Sequence, residues 1–194
     1  MRDPDHHTHR RKDALDDGLL ELMKHNHPSA TLGLTLIELL VAVAVLAILL
    51  SIAAPSFRDI WAKDRTVSTA NDLLASISQT RSEAIKLSRV AELCPRNPAD
   101  ATSCGNSWSD GWMVRIDQNG DGTIDTTVRL RDNLPPNITL TSTLTGTPPK
   151  LTFRELGQAS LQATFTVTHS DPAVTRLVCV YAGGQSTLKE SGSC

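Results

Sequence analysis

Residues 33–55 read GLTLIELLVAVAVLAILLSIAAP, and one charged side chain, Glu38, interrupts an otherwise uncharged, mostly apolar run. At about 1.5 Å per residue, a helix over 34–54 is roughly 31 Å long, which matches the hydrocarbon thickness of a bilayer. The run continues through Pro55 into a further helical pattern, so a cleaved secretory signal is not predicted. The stretch predicts a membrane-spanning helix that bends or breaks at Pro55, because proline lacks an amide donor.

The composition of the whole chain excludes several classes of protein. The 194 residues are 40% hydrophobic, and 19 basic against 21 acidic residues give a formal net charge of -2. This balance gives no global electrostatic reason to bind nucleic acid or an anionic surface. The four cysteines are too few for a disulfide scaffold, and none stand in the C-x-x-C spacing of zinc and thioredoxin-like sites.

Glu38 is the informative residue of the apolar run, since a charge near the centre of a membrane helix costs on the order of 2.5–3.5 kcal/mol. One interpretation is that the carboxylate lies close enough to the helix start to reach the headgroups. The flanking residues favour another. Gly33 followed by LTLIELL over 34–40 resembles the class III signal peptide of type IV prepilins and type II secretion pseudopilins.

The resemblance implies that a prepilin peptidase cuts between Gly33 and Leu34 and methylates the new amine. Glu38 would then lie one helical turn from that amine. In a filament its carboxylate would pair with the amine of a neighbouring subunit, so that a buried charge becomes a paired one. The family usually has Phe at the position of Leu34, and this departure concerns the efficiency of methylation.

Four segments are expected from this pattern. They are a cleaved leader (1–33), the transmembrane half of the N-terminal helix (34–55), an amphipathic stem helix (56–88) and a β-rich periplasmic head (89–194). The leader mixes charges and histidines without an apolar period, which is typical of disorder. Met23 is an alternative start that would give a shorter leader.

The orientation of the span follows from two conflicting signals. Arg58, Lys63 and Arg65 come just after the run and only Lys24 comes closely before it, which the positive-inside rule would read as an inverted topology. All four cysteines also come after the run, as expected for an oxidising compartment. With the motif, they favour a single pass through the bacterial inner membrane with the head in the periplasm.

The stem shows an apolar stripe at helical spacing, which we expect to pack on the head. The stripe consists of Phe57, Ile60, Trp61, Val67, Ala70, Leu74, Ile77, Ala84 and Ile85. From about residue 89, short alternating runs between turn residues predict about seven strands, with an edge strand in the threonine-rich run 139–147. The predicted fold class is α+β and pilin-like: a long N-terminal helix, transmembrane then amphipathic, packed on an antiparallel β-sheet head.

Landmarks in the head narrow the resemblance. They are Leu93-Cys94-Pro95, Trp108-x-x-Gly111-Trp112, Asp117-x-Asn119-Gly120 and Phe153-x-x-x-Gly157. Together they look like the GspH/FimT-type minor pilins and pseudopilins, over roughly residues 30–182. The resemblance implies a subunit without catalytic activity, whose partners are other pilins or pseudopilins in a filament or tip complex.

The cysteines fall into two bracketing pairs. Cys94 and Cys104 flank one loop, and Cys179 and Cys194 flank another. Two local disulfides are the simplest of three connectivities, and free buried thiols are the alternative. The second pair resembles the C-terminal disulfide loop of many pilins.

Residues 117–125 copy the first half of an EF-hand calcium loop. The candidate oxygen ligands are Asp117, Asn119, Asp121 and Asp125. Val128 stands where the bidentate glutamate is needed, and a hairpin turn uses the same residue types for conformational reasons. Weak Ca²⁺ binding is one hypothesis and a plain turn is the other; no further cofactor is expected.

An enzymatic site is not predicted. His169 is the one histidine after the expected cleavage point, and His169, Ser170 and Asp171 are consecutive. Neighbours in sequence do not assemble a catalytic triad, so a loop cap is the better interpretation.

DNA binding has little support in the sequence. FimT-type proteins are associated with DNA uptake through a glycine followed by alternating arginines, but here the comparable residues 184–187 read GQST. A three-dimensional patch of Arg115, Arg129, Arg131 and Arg176 is the remaining source of phosphate-neutralising charge.

The sequence thus predicts a minor pilin or pseudopilin of a type IV pilus or a type II secretion pseudopilus. The alternative is a membrane-anchored DNA-binding or calcium-binding β domain that does not polymerise.

Overall fold

The computed structural model describes residues 33–194, apart from the side chains of 52–56. The predicted leader therefore lies outside the described residues except for Gly33. The chain divides into two compact units, Met1–Ile48 and Leu49–Cys194. In the first unit the described residues form the start of one helix, and the second unit contains the rest of that helix and all the strands.

The long helix of the described residues, α1, is Leu36–Leu87. Its first turn begins at Thr35, whose carbonyl oxygen accepts hydrogen bonds from the backbone N–H groups of Glu38 and Leu39 at 3.1 and 3.2 Å. It ends at Leu87, because the next residue, Ser88, has a left-handed φ of 52° that cannot continue the helix. The range of α1 includes Pro55, where the sequence predicts a bend. Because the structure does not describe the side chains of 52–56, this bend stays a prediction.

Nine strands follow α1. They are β1 (Ala91–Asn97), β2 (Asp100–Cys104), β3 (Trp112–Ile116), β4 (Thr126–Arg131), β5 (Ile138–Ser142), β6 (Leu151–Phe153), β7 (Ala163–Ser170), β8 (Ala173–Val180) and β9 (Ser186–Lys189), with a single 3-10 turn at Trp108–Asp110. The seven predicted runs all form strands. The sequence interpretation missed β2 and β9, each of which is next to a disulfide.

The strands form two antiparallel sheets. The first has the order β2-β1-β3-β4, with β6 pairing with β1, and the second has the order β5-β7-β8-β9. The expectation of an edge strand in the threonine-rich run is confirmed, because β5 lies at the edge of the second sheet. The predicted α+β class, a long N-terminal helix with an antiparallel β head, is also confirmed.

The core lies between α1 and the two sheets. Its largest buried side chains include Leu73 and Ile77 from the helix, Trp112 from β3 and Phe165 from β7. Trp108 packs edge-on against Phe165, with ring centroids 4.9 Å apart. A single cluster of buried residues joins α1 to strands of both sheets, so the stem beyond residue 66 is part of the head's core.

The predicted apolar stripe is only partly correct. Ala70, Ile77 and Ala84 are buried, but Phe57, Ile60, Trp61 and Ile85 are between 47% and 62% exposed. The buried helix face instead contains polar residues, namely Thr66, Thr69, Ser76 and Thr80. Small side chains let the helix backbone approach the sheets, and their hydroxyl groups can bond to backbone carbonyls one turn earlier.

Candidate assembly site and the surface of the head

The motif residues lie at the start of α1. The backbone N–H of Glu38 donates to Thr35 Oγ1 at 3.2 Å, so the threonine side chain caps the helix. Glu38 is exposed in the first turn, where the helix dipole favours a negative charge. Its carboxylate makes no hydrogen bond or ion pair to any residue that the structure describes.

The helix that follows Glu38 presents large apolar side chains to its surroundings. Those from Leu39 to Leu50 are at least 50% exposed, so this part of the helix carries an exposed apolar surface. Within the described part of the chain, no helix combines the length and apolar character that crossing a membrane requires. The last residues of the span predicted over 34–54 lie among the undescribed side chains 52–56.

The four cysteines form two disulfides. Cys94–Cys104 joins β1 to the end of β2, and Cys179–Cys194 joins β8 to the C-terminal residues. No cysteine is free in the described chain. The expectation of disulfides is confirmed in its local pairing, and the alternative of free thiols is wrong. Such bonds persist in oxidising compartments.

Glu92 on β1 is a buried carboxylate that sequence analysis did not single out. Its Oε1 accepts from Arg115 Nη1 at 2.9 Å, and its Oε2 lies 3.0 Å from Lys150 Nζ. Cys94 and Cys104 are near enough to form a potential metal cluster with it, but both sulfurs are in the disulfide. The buried charge is thus neutralised by cations, which makes the cluster structural.

In the loop 117–125, aspartate side chains accept hydrogen bonds from the backbone of the same loop. Asp117 accepts from the N–H groups of Gly120 and Gly122 at 2.6 and 3.0 Å. Asp121 accepts from the N–H of Thr123 at 2.7 Å and from the Asn119 amide at 2.9 Å. The Thr123 bond, followed by that from Asn119, holds the pKa of Asp121 below its usual value.

These bonds are those of a hairpin turn with glycines at positive φ, 83° at Gly120 and 85° at Gly122. Among the described residues, Asp117, Asp121 and Asp125 do not bring their carboxylate oxygens into one cluster. Asp125 instead accepts a hydrogen bond from Thr126 Oγ1 at 3.0 Å. Calcium binding stays a prediction, without a ligand cluster to favour it.

The four arginines considered for DNA binding are each paired with a carboxylate. Arg115 binds Glu92, Arg176 Nη2 lies 3.0 Å from Glu190 Oε1, and both Arg129 and Arg131 contact Asp72. The distances to Asp72 are 2.5 Å from Arg129 Nη2 and 3.0 Å from Arg131 Nε. Arg129 and Arg131 share the one carboxylate of Asp72, and Glu92 also contacts Lys150, so the carboxylates balance the charge of these arginines in part.

The glycine of the GQST segment has a packing role. Gly184 has a φ of 82°, and a Cβ placed there would lie 1.9 Å from the carbonyl oxygen of Gly157. That carbonyl also accepts from Arg81 Nε at 3.0 Å. The turn between β8 and β9 thus packs against the segment after β6 so closely that a side chain cannot fit.

His169 is buried at the end of β7, and its ring contacts the backbone of the turn that follows. Its Nδ1 accepts from the backbone N–H of Asp171 at 3.3 Å and lies 3.2 Å from the carbonyl oxygen of Pro172. The arrangement is the loop cap expected from the sequence.

Comparisons with known proteins agree with the motif and the head. A family model described as Type II transport protein GspH matches residues 69–184, and a model of the Prokaryotic N-terminal methylation motif matches residues 29–54. Similar solved structures include two crystal forms of the type IV minor pilin FimU from Pseudomonas aeruginosa PAO1. One is 20% identical with a TM-score of 0.49 and covers 66% of this chain and 90% of FimU. The other is 21% identical with a TM-score of 0.46 and covers 63% and 90%.

The GspH match extends from the middle of α1 to the turn between β8 and β9, which is more than half of the chain. The methylation-motif match contains Gly33, Leu34 and Glu38. The chain therefore belongs to the GspH family and is a minor pilin or pseudopilin of the GspH/FimT type, a structural subunit and not an enzyme.

Proposed function

We propose that this chain is cut between Gly33 and Leu34 by a prepilin peptidase, methylated on the new amine, and assembled into a type IV pilus or a type II secretion pseudopilus. Before assembly, residues 34–54 hold it in the inner membrane and the head lies in the periplasm. The two disulfides of the head are consistent with that oxidising compartment.

The observation that carries the proposal is the free carboxylate of Glu38 at the start of an exposed apolar helix. A carboxylate surrounded by apolar side chains is unfavourable until a cation pairs with it. The amine created at Leu34 by cleavage supplies such a cation on every subunit. Side-by-side packing of helices buries the apolar surface and pairs the amine of one subunit with Glu38 of the next, which sets their axial register.

The first test is the intact mass and N-terminal sequence of the full chain, expressed with and without a prepilin peptidase. We expect a peptidase-dependent product that begins at Leu34, with or without one added methyl group. A Gly33→Leu variant is the control, because a side chain at the cleavage position should block processing. A chain that keeps Gly33 where a control prepilin is cut would overturn the proposal.

The second test separates assembly from anchoring. We expect Glu38→Ala to lower incorporation into sheared filaments by at least about tenfold, because it removes one partner of a buried ion pair. Glu38→Asp keeps the charge and should recover part of the incorporation. Membrane retention and head folding should be unchanged in both variants. Normal incorporation of Glu38→Ala would instead indicate an anchored β domain that does not use this pair.

A further inference from the structure

One of the two disulfides lies beside a buried carboxylate that assembly through Glu38 does not use. Cys94 is 0% exposed and Glu92 is 2% exposed, and Cys104 is half-buried. Glu92 Oε1 lies 3.5 Å from Cys104 Sγ. One carboxylate oxygen and the two sulfurs lie within 4.8 Å of one another. Of the residues that the structure describes, no other three histidine, cysteine or acidic side chains come so close together.

These three side chains supply the donor set of a thiophilic divalent cation once both sulfurs are thiolates. Zn²⁺ is held by cysteine thiolates and carboxylate oxygens, and a site with three protein ligands leaves its fourth position to water. Cys104 is partly exposed, so water can reach that position. In the disulfide the sulfurs are neutral and bonded to each other. The donor set therefore exists in the dithiol form of the chain and not in the disulfide form.

The backbone that carries the two cysteines is held by contacts other than the disulfide. Strand β1 pairs with β3 and β6, and β2 pairs with β1 so that Arg96 is opposite Cys104. The N–H of Gly105 donates to the carbonyl oxygen of Pro95 at 2.8 Å. Two thiolates on one tetrahedral zinc ion lie about 3.8 Å apart. Cysteine side chains whose Cα atoms are 5.7 Å apart, as in Cys94 and Cys104, can reach that separation by rotation.

The cations around Glu92 are compatible with a metal ion, because the total charge does not change when the ion replaces two protons. Arg115 Nη1 lies 2.9 Å from Glu92 Oε1, and Lys150 Nζ lies 3.0 Å from Oε2. One carboxylate and two cations give this group a net charge of +1 when both thiols are neutral. A divalent cation that displaces the two thiol protons leaves this sum unchanged. Arg115 also orients the carboxylate oxygen nearest the sulfurs, as partners of metal-binding carboxylates do.

We propose that the dithiol form of this chain binds one thiophilic divalent cation, such as Zn²⁺, through Cys94, Cys104 and Glu92. The dithiol form is the one in which a chain is synthesised, before an oxidant joins its cysteines. The bound cation holds β2 on β1 and covers both thiols until then. Binding requires neither cleavage at Gly33 nor assembly, so it goes beyond the proposed function.

Formation of the disulfide then releases the cation. The two thiolates give up two electrons and become joined by the Cys94–Cys104 bond. A disulfide reagent accepts these two electrons, takes two protons from water and becomes two thiols. The cation thereby loses two of its three protein ligands, and Glu92 keeps its contacts with Arg115 and Lys150. The cysteine pair thus exchanges one metal ion for one covalent bond.

The first test is Co²⁺ binding to the full chain in detergent without oxygen, after reduction by a phosphine that is then removed. Co²⁺ bound to thiolates shows a sulfur-to-metal charge-transfer band, which imidazole and carboxylate ligands do not give. We expect this band in the dithiol chain, its loss when Zn²⁺ is added, and no band in the disulfide chain. The disulfide chain also gives the background from the five histidines among residues 1–33.

Substitutions then assign the ligands. Cys104→Ser should abolish the band, and Glu92→Gln should weaken Co²⁺ binding at least about tenfold. Lys150→Gln is the control for Glu92→Gln, because it breaks a contact of the same carboxylate but should not weaken binding of a cation. Replacing both Cys179 and Cys194 by Ser removes the other pair and should leave the band in place. Near-ultraviolet circular dichroism checks that each variant keeps the packed head.

The second test follows release. Glutathione disulfide added to the Zn²⁺-loaded chain should release one Zn²⁺ for each Cys94–Cys104 bond formed, measured with a chromophoric chelator and by intact mass. Zinc that stays bound to the oxidised chain would contradict the proposal.

The other outcomes also decide the matter. A dithiol chain without the band, or a band that Cys104→Ser leaves unchanged, would overturn the site. Binding that is insensitive to Glu92→Gln would show that the thiols bind metal without the folded cluster. Equal weakening by Lys150→Gln and Glu92→Gln would show that a disturbed ion-pair cluster, and not a lost ligand, lowers the affinity. Each of these results leaves cleavage and assembly untouched.

Discussion

Two parts of the stem lie on the same helix but contact different surroundings. In the stem base, residues 57–65, large apolar and cationic side chains are exposed, whereas the packed stem, residues 66–84, buries mostly small ones against the sheets. Trp61 is 62% exposed and Ala70 is 0% exposed, although both belong to the predicted apolar stripe. Hydrophobicity alone therefore does not indicate which part of an amphipathic helix packs on its own domain.

The difference has a physical cause. Close approach of a helix to a sheet requires small side chains, and Thr66, Ser76 and Thr80 satisfy their hydroxyl groups by donating to carbonyl oxygens four residues earlier at 2.7–2.9 Å. Burying them leaves no unpaired donor. Phe57 and Trp61 on the stem base instead line an open groove with Asn137 and His169 of the head, and they remain 60% and 62% exposed.

The largest expected effect comes from truncating one apolar residue in each part. Leu73→Ala should lower the free energy of unfolding by about 2–5 kcal/mol, because Leu73 is fully buried and leaves a cavity. Ile60→Ala, in the stem base, should change it by less than about 0.5 kcal/mol. Chemical denaturation of the detergent-solubilised full chain, followed by near-ultraviolet circular dichroism, measures both. Equal losses would contradict the division of the stem.

An intermediate effect is expected at the contact between the packed stem and β3. Trp112 Nε1 donates to Ser76 Oγ at 2.8 Å, and both residues are fully buried. Ser76→Ala should cost about 1–3 kcal/mol, because the indole N–H then has no acceptor. Ser68→Ala, at an exposed position of the same helix, is the matched control and should cost less than about 0.5 kcal/mol. Denaturation midpoints at constant slope compare the two variants.

The smallest effect is expected from a surface carboxylate. Asp72 on the packed stem contacts both Arg129 and Arg131, so Asp72→Asn should lower stability by about 1 kcal/mol or less, and by less again at high salt. Asp59→Asn on the stem base removes an acidic side chain that has no ion pair in the described chain. Thermal unfolding at low and high ionic strength distinguishes them, and a salt-independent loss at Asp72 would argue against a contribution from these ion pairs.

Much of the fold was predictable because its signals are local. The apolar run, the stem helix to about residue 88 and seven strands follow from periodicity and turn residues. The strands β2 and β9 were missed, because Asp100–Cys104 and Ser186–Lys189 lack alternating apolar residues. They form because each pairs with a neighbouring strand, β1 or β8, next to a disulfide.

The site was predictable to a smaller degree. The motif around Gly33 and Glu38 is read from consecutive residues, and the local pairing of cysteines is the simplest one. The pairing of Arg115 with Glu92 and of Arg129 with Asp72 joins residues that are far apart in the chain. No local pattern indicates such contacts, so the sequence alone could not show that these arginines pair with carboxylates.

By itself the sequence determined the membership of the chain in a helix-led class of pilin-type subunits, because the methylation motif and the apolar run are contiguous. It also determined the α+β class, because strand and helix periodicities are properties of short segments. Only the tertiary structure decided which stem residues face the sheets and which arginines contact carboxylates. It also decided that Phe57, Arg58, Trp61 and Arg65 line an open groove. These features depend on contacts between segments that are far apart in the sequence, and periodicity and composition do not indicate such contacts.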